Sequence, residues 1–297
     1  MSTVKATRRA SKEALADSGL KRLDSMLAHG VTTLEGKSGY GLDLETEIKQ
    51  LEVMEELDSV HPVDIVRTFL GAHAVPEEYK GNEDGFIDFL VGEVKPEVAE
   101  RGLAEFCDVF CEKGVFSITQ SRRILEHARK MGFKLKIHAD EMASLGGAEL
   151  AAELGCISAD HLLHVSDKGM MDMSEKGVIA TLLPATAFSL KEPYARGRAM
   201  VDTGCAVALA TDQNPGSCFT ESIPLLFALA TLYVNLSLEE VITALTLNGA
   251  GAIERASSIG SLDVFFRLTC AGWWQRGCSM RGHSDKPLKH GRSIDIR

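Results

Sequence analysis

At 297 residues, 45% of them hydrophobic, the chain has material for one large core, and parallel α/β barrels reach this size as a single unit. Its 42 acidic side chains against 32 basic ones give a net charge of −10, which argues against nucleic acid or an anionic membrane as the main partner. Seven cysteines without a close-paired framework read as reduced thiols of a cytoplasmic protein, and no apolar run is long enough to span a bilayer.

The chain opens on a basic, Ser/Thr-rich stretch from Thr3 to Lys12 that looks superficially like an organelle presequence. Glu13 and Asp17 follow at once, and Leu15, Leu20, Leu23 and Leu27 continue one helical face, so the pattern predicts an ordinary amphipathic helix over about 5–29. Gly30 to Ser38 then reads as a strand. Asp43 is placed to cap a helix over about 44–58, and Pro62 to Leu70 is the second strand. A helix near 83–101 precedes a third strand, Phe106–Cys111, in which Cys107 and Cys111 share a face and are expected in the core. Ser117 and Gln120 form a capping box for a helix to about Met131. Leu135–His138 is the fourth strand, Gly147–Leu154 a short helix, and Cys156–His161, Gly177–Pro184 and Cys205–Thr211 the fifth to seventh strands. Ser237 and Glu240 form a second capping box, for a helix through about Leu247.

Seven strands alternating with helices imply a parallel sheet. Two features favour a barrel over an open doubly wound sheet. No Gly-rich nucleotide turn follows the first strand, and polar residues close nearly every strand instead of gathering at one switch point. The predicted fold class is therefore an α/β, TIM-like (β/α) barrel one strand short of eight, over residues 1–256. Residues 257–297 are expected to form a divergent, poorly ordered tail. From Val264 onward it carries 7 Lys/Arg against 2 acids, so +5, which leaves −15 for residues 1–263, and both tryptophans lie in it.

The chemistry sits where strands end. Lys134-Leu-Lys-Ile-His138-Ala-Asp-Glu141 closes an apolar run with an imidazole and puts a carboxylate three residues on. Ser158-Ala-Asp160-His161 and Val207-Ala-Leu-Ala-Thr211-Asp212 repeat the arrangement. Imidazoles and carboxylates converging from separate strand ends suit a hydrolytic metal with an open position for water. His138 and Asp212 fit as ligands, Glu141 as general base or acid, and His161 as ligand or carbonyl-polarising group. Tyr40, in Gly39-Tyr40-Gly41, and His73, in Gly71-Ala-His73, are placed to hydrogen-bond a polar substrate. Asn214-Pro-Gly216-Ser217 reads as a turn whose backbone amides could hold an anion. Lys37 reads as a solvated rim lysine rather than a ligand-facing charge.

At these residues the chain resembles imidazolonepropionase, a metal-dependent family of the amidohydrolase superfamily. The resemblance runs from about Ser2 to Leu262. It includes Val31-Thr-Thr-Leu-Glu35, Lys37-Ser-Gly-Tyr-Gly-Leu-Asp43, Phe69-Leu-Gly-Ala-His73, Asp108-Val-Phe-Cys-Glu112, His138-Ala-Asp-Glu141, Ser158-Ala-Asp-His161 and Ala210-Thr-Asp212-Gln-Asn214-Pro-Gly216. It implies hydrolysis of 4-imidazolone-5-propanoate to N-formimino-L-glutamate in histidine degradation. The implied cofactor is one divalent or trivalent metal ion, zinc or iron, on His138 and Asp212. Glu141 matches the residue that activates water and His161 the one that assists at the carbonyl. Tyr40, His73, Asn214 and Gly216 match substrate-contacting positions, with Ser217 where threonine is common. The implied partner is the small-molecule substrate, with no nucleic acid or membrane, and a homodimer is one assembly considered. The family also carries a His-x-His pair on its first barrel strand and a small β-sandwich. This sequence has no His-x-His, so the first strand is expected to be missing; the basic tail stands after Asp263 where the family continues into the sandwich, which is expected to be missing too. The alternatives left open are a catalytically inactive fragment or isoform and another cyclic-amide hydrolase of the same superfamily.

Overall fold

The computed structural model describes residues 1–262. Seven strands form one parallel sheet in chain order: β1 (Thr33–Lys37), β2 (Asp64–Ala72), β3 (Phe106–Cys111), β4 (Lys134–Ala139), β5 (Ser158–His161), β6 (Ile179–Leu182) and β7 (Val207–Leu209). The helices are α1 (Ser2–Arg9), α2 (Lys12–Ala28), α3 (Leu44–Val60), α4 (Glu83–Phe89), α5 (Lys95–Glu100), α6 (Ile118–Lys130), α7 (Gly147–Glu153), α8 (Asp167–Lys176), α9 (Pro184–Leu190), α10 (Gly197–Thr203), α11 (Ile223–Leu232), α12 (Leu238–Leu245) and α13 (Leu247–Ala252). Strictly sequential parallel neighbours require every crossover to run the same way round, which is the barrel connection.

The predicted caps are in place. Thr46 N donates to Asp43 Oδ1 at 2.7 Å, and both Ser117/Gln120 and Ser237/Glu240 close reciprocal capping boxes. Two predicted helices differ in detail. The 5–29 helix is broken at Ala10–Ser11, because the Ser11 hydroxyl accepts from Ala14 N and starts a new helix. The helical run over 83–100 contains a π-turn, Leu90–Val94, one residue ahead of Pro96. Proline cannot donate to the carbonyl four residues back, and the wider turn absorbs the missing bond.

The curl of the sheet follows from one set of distances. In a flat sheet, four inter-strand steps would separate β1 from β5 by about 19 Å. Lys37 Nζ on β1 nevertheless lies 2.8 Å from Asp160 Oδ2 on β5 and 2.5 Å from Asp108 Oδ2 on β3. The sheet is therefore strongly curled, so that side chains on its inner face converge, although β1 and β7 do not pair among the described residues. Outside it, helices pack on a core that includes Leu51, Phe69, Leu90, Val109, Ile124, Leu125, Ile137 and Met173, with Cys107 and Cys111 buried among them. A smaller cluster, Ala16, Leu23, Val53, Leu57, Val63 and Ile65, fixes α2 and α3 over the β1–β2 edge. Of the predicted 257–297 tail, everything from residue 263 on lies outside the described residues.

Candidate active site

The inner face of the sheet is ionic. Barrel interiors are ordinarily filled by branched apolar side chains. Here Lys136 Nζ, 1% exposed, donates to Glu35 Oε2 and to Ser158 Oγ at 3.0 Å each, and Ser158 Oγ donates to Asp160 Oδ1 at 3.0 Å. Thr68 Oγ1 also donates to Glu35. Lys37 completes the network through Asp108 and Asp160. The expectation of a solvated rim lysine is overturned: curling of the sheet brings the β3 and β5 carboxylates to the Lys37 ammonium. Pleating explains how the residues converge, since Glu35/Lys37, Lys136/His138 and Ser158/Asp160 are i, i+2 pairs on one face of their strands. The register pairs Lys136 with Ser158 and His138 with Asp160.

Just above this layer, His138 Nδ1 lies 3.0 Å from Asp108 Oδ2, a charge contact too bent to be a hydrogen bond. Burial opposes the charge on Asp108, but His138 and Lys37 hold its carboxyl far below the usual range. Asp160 is likewise kept at about 2 against burial, by Lys37 and Lys136. Burial disfavours a charged His138, yet Asp108 beside it outweighs burial and raises the imidazole.

The His138 and His161 rings lie 5.1 Å apart, and Glu141 Oε1 is 3.5 Å from His161 Nδ1. Burial pushes His161 down, with Glu141 opposing. His73 stands 6.4 Å from the His138 ring and 5.0 Å from Tyr40, edge to face. Its Nδ1 is 3.1 Å from Gly39 O, an atom that only accepts, so Nδ1 carries the proton and Nε2 is the free acceptor. Burial, with His138 adding to it, lowers His73 to about 4. Burial, with the Asp212 charge adding to it, raises Tyr40 to about 12, so both work as neutral hydrogen-bonding groups.

Asp212 Oδ2 accepts from Thr186 Oγ1 at 2.7 Å, and its charge is felt at Tyr40, His73 and His161. Asn214 Oδ1 lies 3.5 Å from Tyr40 Oη and accepts from Gly216 N and Ser217 N at 2.8 Å each. That corrects the expectation of an anion-holding turn. Both amides are engaged by the Asn214 side chain, an Asx-type turn. Asp140, His161 and Asp212 all adopt positive φ (51°, 75° and 50°), a backbone strain that concentrates where strands deliver functional groups.

All nine predicted site residues, His138, Glu141, His161, Tyr40, His73, Asp212, Asn214, Gly216 and Ser217, thus join through short contacts or a shared turn, Asp212 through its carbonyl, which accepts from Asn214 Nδ2 at 2.7 Å. Sequence reasoning misread Lys37 and assigned no role to Asp108, Asp160, Glu35 and Lys136. The alternation Glu-x-Lys, Lys-x-His and Ser-x-Asp was the signal that could have found most of them.

A metal ion fits the donor chemistry. Asp108, His138 and Asp160 bring one ligand atom each to within 4.8 Å of one another. Lys37, Lys136 and His138 are the basic groups set against the three carboxylates Glu35, Asp108 and Asp160. His138 and His161 each keep a buried Nδ1 without a hydrogen-bond partner among the described residues. Lys37, however, already holds two of those carboxylates, and Asp212 lies outside that trio.

Parallel strands curled around an inner layer, with imidazoles and carboxylates at their C-terminal ends, define an α/β fold of the (β/α)-barrel type with a candidate metal-assisted site. Solved structures agree at the level of fold. An adenosine deaminase from Xanthomonas campestris with bound zinc superposes with a TM-score of 0.65 at 16% identity, covering 86% of this chain and 61% of that one. A guanine deaminase from C. acetobutylicum with guanine in its active site gives 0.67 at 13% identity, over 88% and 66%. No family model matches the chain. Its sequence is similar to imidazolonepropionases: it is 62% identical over 263 residues to the Clostridium tetani imidazolonepropionase and 63% over 265 to that of Bacteroides thetaiotaomicron. Each alignment takes in 89% of this chain, which spans 63% and 64%, respectively, of the length of those relatives.

Proposed function

We propose that the chain hydrolyses 4-imidazolone-5-propanoate to N-formimino-L-glutamate, as the name of its relatives suggests. The observation that carries this reading is the convergence of His138, His161 and Glu141, with neutral Tyr40 and His73 facing them. A zinc or iron ion held by His138 and Asp212 would supply a Lewis acid and acidify a water molecule at neutral pH. Glu141 takes the proton of the attacking water and returns it to the departing ring nitrogen. His161, lowered by burial, faces the substrate carbonyl as a neutral donor. His73, through its free Nε2, and the Tyr40 hydroxyl orient the polar ring, while Asn214, Gly216 and Ser217 line the same mouth. Reduced cysteines are consistent with a cytoplasmic location: all five described ones are free and buried. The assembly, monomer or homodimer, is read by sedimentation.

The test is loss of imidazolone absorbance with the purified chain, alongside its metal content. Turnover with stoichiometric zinc or iron, reduced roughly 10²- to 10⁴-fold in Glu141→Gln, is the expected result. Metal-free, inactive protein overturns the reading. That outcome would favour the second one, a folded but non-catalytic chain, which the Lys37 ammonium among the candidate ligand carboxylates supports.

A further inference from the structure

Glu141 stands on the loop between β4 and α7, and two buried carboxylates from outside the proposed chemistry hold that loop by its backbone. Asp140, fully buried and at φ 51°, accepts through Oδ1 from the amides of Leu145 (2.8 Å), Gly146 (3.0 Å) and Gly147 (3.2 Å), and through Oδ2 from Ala148 (3.0 Å). It thereby fixes the far end of the loop at the start of α7.

Glu112 fixes the near end from a different strand. It follows β3, is 1% exposed, and accepts through Oε2 from Glu141 N at 3.0 Å and Met142 N at 2.9 Å; Oε1 accepts from Lys113 N at 2.7 Å. Among the described residues it forms no ion pair. A carboxylate removed from water without a counter-ion is costly unless donors replace its hydration. Three backbone amides are those donors, and two belong to the residues that set where the Glu141 side chain leaves the chain.

We propose that Glu112 is a positioning residue for Glu141: its carboxylate locks the backbone of Glu141 and Met142 so that the Glu141 carboxylate faces His161. The proposal rests on the reading of Glu141 as the proton-moving group. An apolar side chain at 112 would leave the loop held only by Asp140, beyond Glu141, and a displacement of about 1 Å at a catalytic group can lower turnover ~10²-fold.

Glu112→Ala and Glu112→Gln in the full chain test this. In Glu112→Ala the amides of Glu141 and Met142 should lose roughly 10-fold or more of their hydrogen-exchange protection, while Gly147 and Ala148 change less than about 2-fold. The ring resonances of His161 should shift as Glu141 moves off. Turnover should fall about 30-fold or more with KM within ~2-fold, because the loss is confined to a group acting in the transition state. Gln, which retains one acceptor oxygen, should recover part of each effect and reports on the same amides if the alanine variant does not fold. Inactive wild-type protein would refute the proposed reaction and leave amide exchange and the His161 ring to decide the positioning. Unchanged protection at 141 and 142 with an unmoved His161 ring, or turnover within about 2-fold of wild type, overturns the inference.

Discussion

Replacing Lys37 by methionine removes the ammonium that Asp108 and Asp160 share and leaves both carboxylates in the barrel interior. Asp108 is fully buried and Asp160 is 3% exposed, so neither regains water without opening the sheet. Breaking a buried pair from one side costs about 3–5 kcal/mol. His138 still touches Asp108, and Lys136 still reaches Asp160 through Ser158, so the expected loss is near the lower bound, ~3 kcal/mol at pH 7. Urea unfolding followed by far-UV circular dichroism measures it. The triple variant Lys37→Met, Asp108→Asn, Asp160→Asn removes the stranded charges and should recover at least about half of that loss, since a pair deleted whole is far less costly than a pair broken. The pH dependence has a definite sign. Both aspartates are depressed in the folded state, Asp160 to about 2 and Asp108 further. Their ionic stabilisation is therefore present above the unfolded value near ~3.9 and lost as pH falls through the folded values. The gap between wild type and Lys37→Met should accordingly narrow below about pH 4 and close only as pH falls through those folded values. A loss under roughly 1 kcal/mol at pH 7, or a triple variant no more stable than the single, would refute the ionic account of the barrel interior.

Two other predictions follow from local geometry. Gly39 has φ +110°, and a Cβ there would sit 2.8 Å from Leu70 O and 3.0 Å from the His73 Cβ. Gly39→Ala should cost about 1–3 kcal/mol by urea unfolding and raise KM, because the same loop carries Tyr40 and braces His73; wild-type stability and KM would remove the argument. Burial pushes the thiols of Cys107 and Cys111 up to about 11. With Cys270 and Cys278 replaced by serine, the native protein should therefore react with a thiol reagent at pH 8 only as fast as it unfolds; rapid modification of either residue would refute this.

How much of this was legible depended on the range of the interaction. Capping boxes act within three residues, so Ser117/Gln120 and Ser237/Glu240 were readable and stand in the structure. Strand order was readable because parallel crossovers leave few alternatives. The break at Ser11 was missed because leucine periodicity runs through it, although serine is itself a cap residue. Glu112, Asp140 and Glu47 escaped notice for another reason. Each accepts from backbone amides, Glu47 from those of Gly39, Gly41 and Leu42, and an amide leaves no mark in sequence.

From its sequence alone the protein's alternating strands and helices, its caps, and the placing of His138, His161 and Asp212 at strand ends were determined, because these rest on periodicity and on neighbours a few residues apart. Only the tertiary structure decided who faces whom. Lys37 looked like a rim lysine because nothing near it in sequence requires a charge. Its partners stand 71 and 123 residues away and meet it only because the twist of seven strands accumulates into a curled face. Curvature of that kind is a property of the whole sheet, so the charge on one lysine acquires its meaning only when the sheet has formed.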